Sequence, residues 1–114
     1  MIRRKDEMRL QVRDNIRGGS GRIENLHIFE PEELEGKCTL CSVFELDPGD
    51  SIGGHAHDSD GEIYYVLHGE LVVTEDGTEH VLYAGDASYT CGGSSHAIEN
   101  RSGKKASFMA IILP

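Results

Sequence analysis

The chain of 114 residues has no tryptophan, only 3 prolines and 3 cysteines, and 11 basic residues against 20 acidic ones. Each shortage removes a class of protein. A small, odd number of cysteines does not build a disulfide framework and fits a reducing compartment, so a cytoplasmic location is expected. The first residues, MIRRKDEMRL, lack the apolar core of a secretory signal, and no stretch reaches the ~18 apolar residues of a membrane span. A net charge of −9 argues against nucleic acid and anionic membrane as partners, since both require a basic surface. The length leaves no room for a second domain, yet lets one domain bury about 65% of the surface of its unfolded chain.

What the sequence does contain is glycine, 14 residues of it, and an apolar pattern of period two. RIENLHIF (22–29) alternates. KCTLCSVFEL (37–46) sets Cys38, Leu40, Ser42, Phe44 and Leu46 on one face, because successive strand side chains point to opposite sides. Turn signals at 47–50, 68–70, 75–78, 84–86, 91–95 and 101–105 separate short strands near 63–67, 71–75, 79–83, 87–90, 96–100 and 106–113. Helical propensity is confined to 1–11 and 30–36. Many short strands at this spacing predict an all-β sandwich or barrel. Residues 1–22 carry seven basic side chains and three acidic ones, and read as a basic arm before a domain spanning 23–114. The arm either docks on acidic surface of its own or a neighbouring subunit, or frays into solvent.

In GDSIGGHAHDSDGEIYYVLHGE (49–70), His55 and His57 stand two residues apart. On a strand this projects both imidazoles from one face, with Cβ atoms roughly 6–7 Å apart. Glu62 has the opposite parity by counting, but DSDG (58–61) reads as a turn that resets the register and lets Glu62 face the same interior. EIYYVL then places Glu62, Tyr64 and Val66 inward, with Ile63, Tyr65 and Leu67 outward. A strand apolar on both sides is covered on both, and in so small a protein the outer cover is expected to be a second copy, a homodimer.

Gly49, His55, His57, Glu62 and Gly69 follow G-x5-H-x-H-x4-E-x6-G, and Gly85, Cys91, Gly93, His96 and Asn100 follow G-x5-C-x-G-x2-H-x3-N. These spacings resemble the two sequence motifs of the cupin superfamily, with Cys91 at a position where that family usually has proline. Fifteen residues, 70–84, separate them, as in the most compact microbial cupins. The resemblance implies a double-stranded β-helix, the jelly-roll barrel of two antiparallel sheets, with His55, His57, Glu62 and His96 as metal ligands. The missing proline implies a looser turn into the second motif.

Three neutral imidazoles and one carboxylate make a mixed N/O donor set, suited to a divalent transition metal such as Mn, Fe, Ni or Zn and unsuited to Mg or Ca. On an octahedral ion four protein ligands leave two positions for a chelating substrate or O₂. The alternative is a metal that only staples a small barrel, although structural sites favour cysteine and closed coordination.

Tyr64, two residues from Glu62, is the candidate catalytic residue, able to orient a ligand through its hydroxyl; otherwise it fills the barrel. NIRGGSGR (15–22) either closes over the barrel mouth, with Arg17 and Arg22 gripping an anion, or is a flexible linker. Cys38 and Cys41 read as core residues, Cys91 as a turn residue, His68 and His80 as solvated. Within 37–113 the basic residues are Lys37, Arg101, Lys104 and Lys105, all at strand ends or turns. A small dicarboxylate would therefore depend on the metal and on Arg17.

Three functions fit the resemblance. The first is a metal-dependent enzyme acting on a small oxygen-bearing molecule, of dioxygenase or oxalate decarboxylase type. The second is a noncatalytic protein binding a sugar or organic acid as small-molecule ligand. The third, a sugar-phosphate isomerase, lacks an evident cationic clamp inside the barrel. A regulator ranks below all three, because 22 residues before the first strand do not supply a helix-turn-helix domain.

Overall fold

The computed structural model describes all 114 residues. Ten strands follow one another: β1 (Arg9–Asp14), β2 (Arg22–His27), β3 (Leu40–Leu46), β4 (Ser51–Ala56), β5 (Gly61–His68), β6 (Glu70–Glu75), β7 (Thr78–Tyr83), β8 (Ala87–Cys91), β9 (Ser95–Glu99) and β10 (Ala106–Leu113). They build two antiparallel sheets, one in the order β1-β2-β3-β10-β5-β8 and the other in the order β4-β9-β6-β7. The predicted all-β, two-sheet jelly roll is the observed architecture.

Alternation sets the layers. Phe44 and Leu46 of β3, Tyr64 and Val66 of β5, Leu71 and Val73 of β6, Ile98 of β9 and Phe108 of β10 are all buried between the sheets. An aromatic column runs through this core. Phe44 stacks on Phe108 at 5.3 Å between ring centroids, and Phe108 meets Tyr64 edge-on at 4.8 Å. Such pairs add to plain area burial through their ring quadrupoles.

Two segments depart from expectation. The stretch 1–11 is not helical beyond one 3-10 turn at Lys5–Glu7, because β1 pairs with β2 along its whole length, from Arg9 opposite His27 to Asp14 opposite Arg22. Leu10 and Val12 alternate with Gln11 and Arg13, and a ladder already offered by β2 overrides weak helical propensity. Residues 30–36 form successive turns rather than a helix, ending on Glu35 and Gly36 in the left-handed region (φ 55 and 71).

The basic arm docks on its own chain. Arg9 pairs with Glu30 at 2.9 Å, Arg3 pairs with Glu33, and the Arg3 guanidinium lies 5.4 Å from the centre of the Phe29 ring. Cys38 is buried before β3 begins, whereas Cys41 points to the outer face and is only half-buried, correcting its reading as a core residue. Cys91 ends β8 opposite Gly61, and Gly92 and Gly93 (φ 65 and 88) make the turn that follows. The second motif therefore needs no proline to fix its entry.

Asn100 closes the sandwich rather than binding anything. Fully buried, it donates through Nδ2 to the Leu46 and Lys104 carbonyls at 2.9 and 2.7 Å and accepts through Oδ1 from Ser102 N and Oγ at 2.9 and 2.7 Å. Removing that side chain orphans buried backbone groups, so Asn100→Ala is expected to cost about 2–3 kcal/mol in urea unfolding. Metal content of the folded fraction should stay at the wild-type level; a parallel fall in metal would give Asn100 a role at the site.

Candidate metal centre

Four donors meet where the two sheets face each other. His55 comes from β4, His57 from the residue just past its end, His96 from β9 and Glu62 from β5 of the opposite sheet. His55 lies directly opposite His96, because three residues of β4 span what two residues of β9 span between the Ile52–Ile98 and His55–His96 pairs. This bulge at Gly53–Gly54 re-aims the end of the strand, as bulges do. The DSDG turn then brings Glu62 inward, as its parity required.

The four ligand atoms all lie within 4.8 Å of one another. Glu62 Oε1 is 2.9 Å from His96 Nε2 and 3.0 Å from His57 Nε2, and His96 Nε2 is 3.0 Å from His55 Nε2 and 3.1 Å from His57 Nε2. His55 Nε2 stands 3.6 Å from Glu62 Oε1. Bonds of ~2.1 Å set at right angles place neighbouring donors ~3.0 Å apart, whereas a tetrahedron of the same bonds places them ~3.4 Å apart. Most of these separations match the former.

Hydrogen bonds behind the donors set two of the tautomers. His55 Nδ1 lies 2.8 Å from the Gly53 carbonyl, which only accepts, so that nitrogen carries the proton and Nε2 presents a lone pair to the centre. His57 Nδ1 donates in the same way to Asp60 Oδ1 at 2.7 Å. Bonds of this kind are what orient imidazoles toward a metal. His96 differs: its Nδ1 is buried without a partner, and its ring is held by Tyr64, stacked at 4.4 Å and 7°.

The electrostatics follow from burial beside imidazoles. Burial alone pushes the Glu62 carboxyl up, but the His55 and His96 imidazoles, with His57 behind them, outweigh it and pull it down to about 2. His55 is raised above its ordinary value, mainly by Glu62, against its own burial and the repulsion of Arg17. Tyr64 is raised well above the phenolic range, first by burial and then by the Glu62 charge, so its hydroxyl stays protonated.

A cavity of ≈ 90 Å³ opens beside the cluster. Its wall contains His55, His57, Glu62 and Tyr64, apolar Ile16, Phe44 and Ile52, and two arginines, Arg13 and Arg17. The NIRGGSGR turn thus packs at the mouth and is not a free linker. Arg22 is absent from the wall, because it neighbours inward Ile23 and points to the other face. Arg13 was not foreseen as a site residue; it stands opposite buried Ile23, which turns it inward. The alternation of Leu10 and Val12 was the available signal. Asp60 and Gly53 also escaped notice as orienting groups. His68 and His80 are exposed and are not part of the donor cluster, as expected.

A cupin domain family model matches residues 42–112. An oxalate-binding protein of Thermotoga maritima is 37% identical over 113 residues, covering 99% of this chain and 93% of that protein. A crystal structure of a predicted oxalate decarboxylase from Thermotoga maritima superposes with a TM-score of 0.94 at 37% identity, over 99% of this chain and 98% of the other. The tetracenomycin polyketide synthase protein TcmJ of Streptomyces glaucescens is 31% identical over 97 residues, 85% of this chain and 62% of that protein.

The shifts of Glu62 and His55 work in opposite senses on the metal-free protein. Glu62, depressed to about 2, stabilises the fold above its ordinary 4.5 and loses that contribution as pH falls below it; His55, raised, stabilises up to its ordinary 6.5 and loses that contribution as pH rises through its folded value. Metal-free protein should therefore be most heat-stable between pH 4.5 and 6.5. Protons compete with a metal for the imidazoles, so the rise in Tm on adding Mn(II) should be small near pH ~5 and grow toward pH ~7.5. His57→Ala should remove most of that rise and lower metal content roughly tenfold or more in elemental analysis. An equal rise at both pH values, or an unaltered His57→Ala, would contradict imidazole ligation.

Proposed function

The chain belongs to the cupin domain family, and on that premise we propose that it captures a small dicarboxylate of the oxalate class at a metal held by His55, His57, Glu62 and His96. When bound, the metal supplies a Lewis acid with coordination positions for a chelating ligand. The donor set fits a divalent transition metal: two imidazoles present lone pairs by tautomer, and the carboxylate is ionised at any ordinary pH.

The observation that carries the reading is the composition of the cavity wall. Its only cations are Arg13 and Arg17, its only hydroxyl is Tyr64, and the rest beyond the metal donors is apolar. A volume of ≈ 90 Å³ is far below the ~300–1,000 Å³ of sites for drug-sized ligands. Room for a few heavy atoms, with two arginines in the wall, suits a short dianion. The oxalate named for the Thermotoga maritima relative has that size and charge. Residues 1–22 serve here as the arm that furnishes the mouth, and 23–114 as the domain that carries the donors.

Catalysis is a second reading, favoured by one residue. Loss of CO₂ from a dicarboxylate leaves a carbon that must receive a proton, and Tyr64 is the one hydroxyl available. Its raised pKa makes it a weak acid near neutrality, so the geometry supports capture more strongly than turnover. Mn(II)-loaded protein should bind oxalate stoichiometrically in calorimetry, metal-free protein should not, and succinate should bind at least about tenfold more weakly. Equal oxalate affinity with and without metal would refute the proposal. Formate release that disappears in Tyr64→Phe, with oxalate binding kept, would establish the catalytic reading.

We propose the same outer sheet face for self-association. Leu10, Val12, Tyr65, Leu67 and Tyr89 all leave the six-stranded sheet on its outer side and are 55, 38, 43, 40 and 54% exposed, an apolar patch of the kind that marks interfaces. Light scattering should give twice the 12.5 kDa chain mass, and Tyr65→Glu with Leu67→Glu should return it to one chain. A wild-type mass of a single chain would dispose of the dimer.

A further inference from the structure

Between β1 and β2 the chain makes a tight 3-10 turn over Ile16–Gly18 with an unusual backbone. Asn15 (φ 48, ψ 52) and Arg17 (φ 55, ψ 31) both lie in the left-handed region. Glycine adopts that region freely and asparagine tolerates it, but an arginine there is strained. Glycine occupies the next two positions, so an unstrained residue is one substitution away. A strained side chain kept in such a place points to a need for that side chain.

Close backbone approaches seat the turn on β4. A Cβ on Gly19 would overlap the Ser51 carbonyl oxygen, and a Cβ on Gly53 would overlap the Arg17 carbonyl oxygen. Ser51 N donates to the Ser20 carbonyl at 2.9 Å, Ser20 N donates to Ser51 Oγ at 2.9 Å, and Ile16 is sunk into the core. Only glycine lets the two backbones come this near. Gly53 also presents the carbonyl that takes the His55 Nδ1 proton, so one residue meets both the turn and a metal donor. Arg17 is thereby carried onto the cavity wall beside His55 and Glu62. On a chain of net charge −9, a small dianion is repelled at long range and needs local cations to enter.

We infer that Arg17 is the residue that selects a doubly charged ligand, and that Gly19 and Gly53 are positioning residues that hold it over the cavity. This rests on the carboxylate reading above. Arg13, exposed on edge strand β1, is less constrained and adds charge without the same fixed placement.

The test compares oxalate with oxamate, which has the same size and one charge fewer, on Mn(II)-loaded protein by calorimetry. Arg17→Gly should weaken oxalate about tenfold or more, leave oxamate nearly unchanged, and raise Tm by relieving the left-handed arginine. Arg17→Lys should recover part of the oxalate affinity. Gly19→Ala, which touches no metal donor, should keep manganese stoichiometry while lowering the oxalate-to-oxamate affinity ratio as Arg17→Gly does. If wild-type protein binds oxalate but Arg17→Gly binds it equally well, the selecting role falls and the carboxylate reading stands. If wild-type protein binds neither anion, both fall. Loss of manganese from Gly19→Ala, or an unchanged affinity ratio in it, would overturn the positioning role.

Discussion

The structure depends on keeping one carboxylate charged inside a small apolar sandwich. Glu62 is 4% exposed, and a lone buried carboxylate costs several kcal/mol. The charge is tolerated because three imidazoles surround it, two from the facing sheet and one from the residue that follows β4. Those imidazoles are in turn aimed by features with no chemistry of their own: a bulge at Gly53–Gly54, a turn carrying Asp60, and the pairing of His55 with His96. Removing the inward pull of the cluster would leave two sheets with an uncompensated polar centre between them.

Two different devices orient the three rings. His55 and His57 are held by hydrogen bonds from Nδ1, to the Gly53 carbonyl and to Asp60. His96 has none, and its ring lies flat against Tyr64, which itself meets Phe108 and through it Phe44. The aromatic column thus ends at His96 of the cluster, so core packing and site geometry are one arrangement at that point. This explains why Tyr64 is the most enclosed large side chain next to the centre and yet belongs to the cavity wall. It also gives the Tyr64 phenol a mechanical role, holding the His96 ring in place.

Much of this was legible in the residues. The spacing of His55, His57, Glu62 and His96 identified the cluster, and the parity of EIYYVL placed Glu62, Tyr64 and Val66 inward. Both depend on local rules, strand alternation and turn chemistry, that a sequence displays directly. The first strand was not legible, because its inward residues are Gln11 and Arg13 and its apolar pair Leu10 and Val12 is too short to outweigh helical propensity. Its form comes from β2, a neighbour that exists only after folding. Arg13 at the mouth was lost with it. The bulge that aligns His55 with His96 was equally hidden, since two glycines in a row read as a turn or as a strand defect.

The edge position of β1 has a consequence for how this chain tolerates changes in length. Ahead of Arg9 the chain is fastened by one partly exposed ion pair, Arg3 to Glu33, and extra residues there would extend into solvent. Between Arg9 and Asp14, by contrast, the ladder with β2 counts every residue, and a single insertion would exchange the two faces of the strand. Leu10 and Val12 would then line the cavity entrance and Arg13 would face away. The parity of six residues at the margin of the sheet thus decides whether the entrance is cationic or greasy.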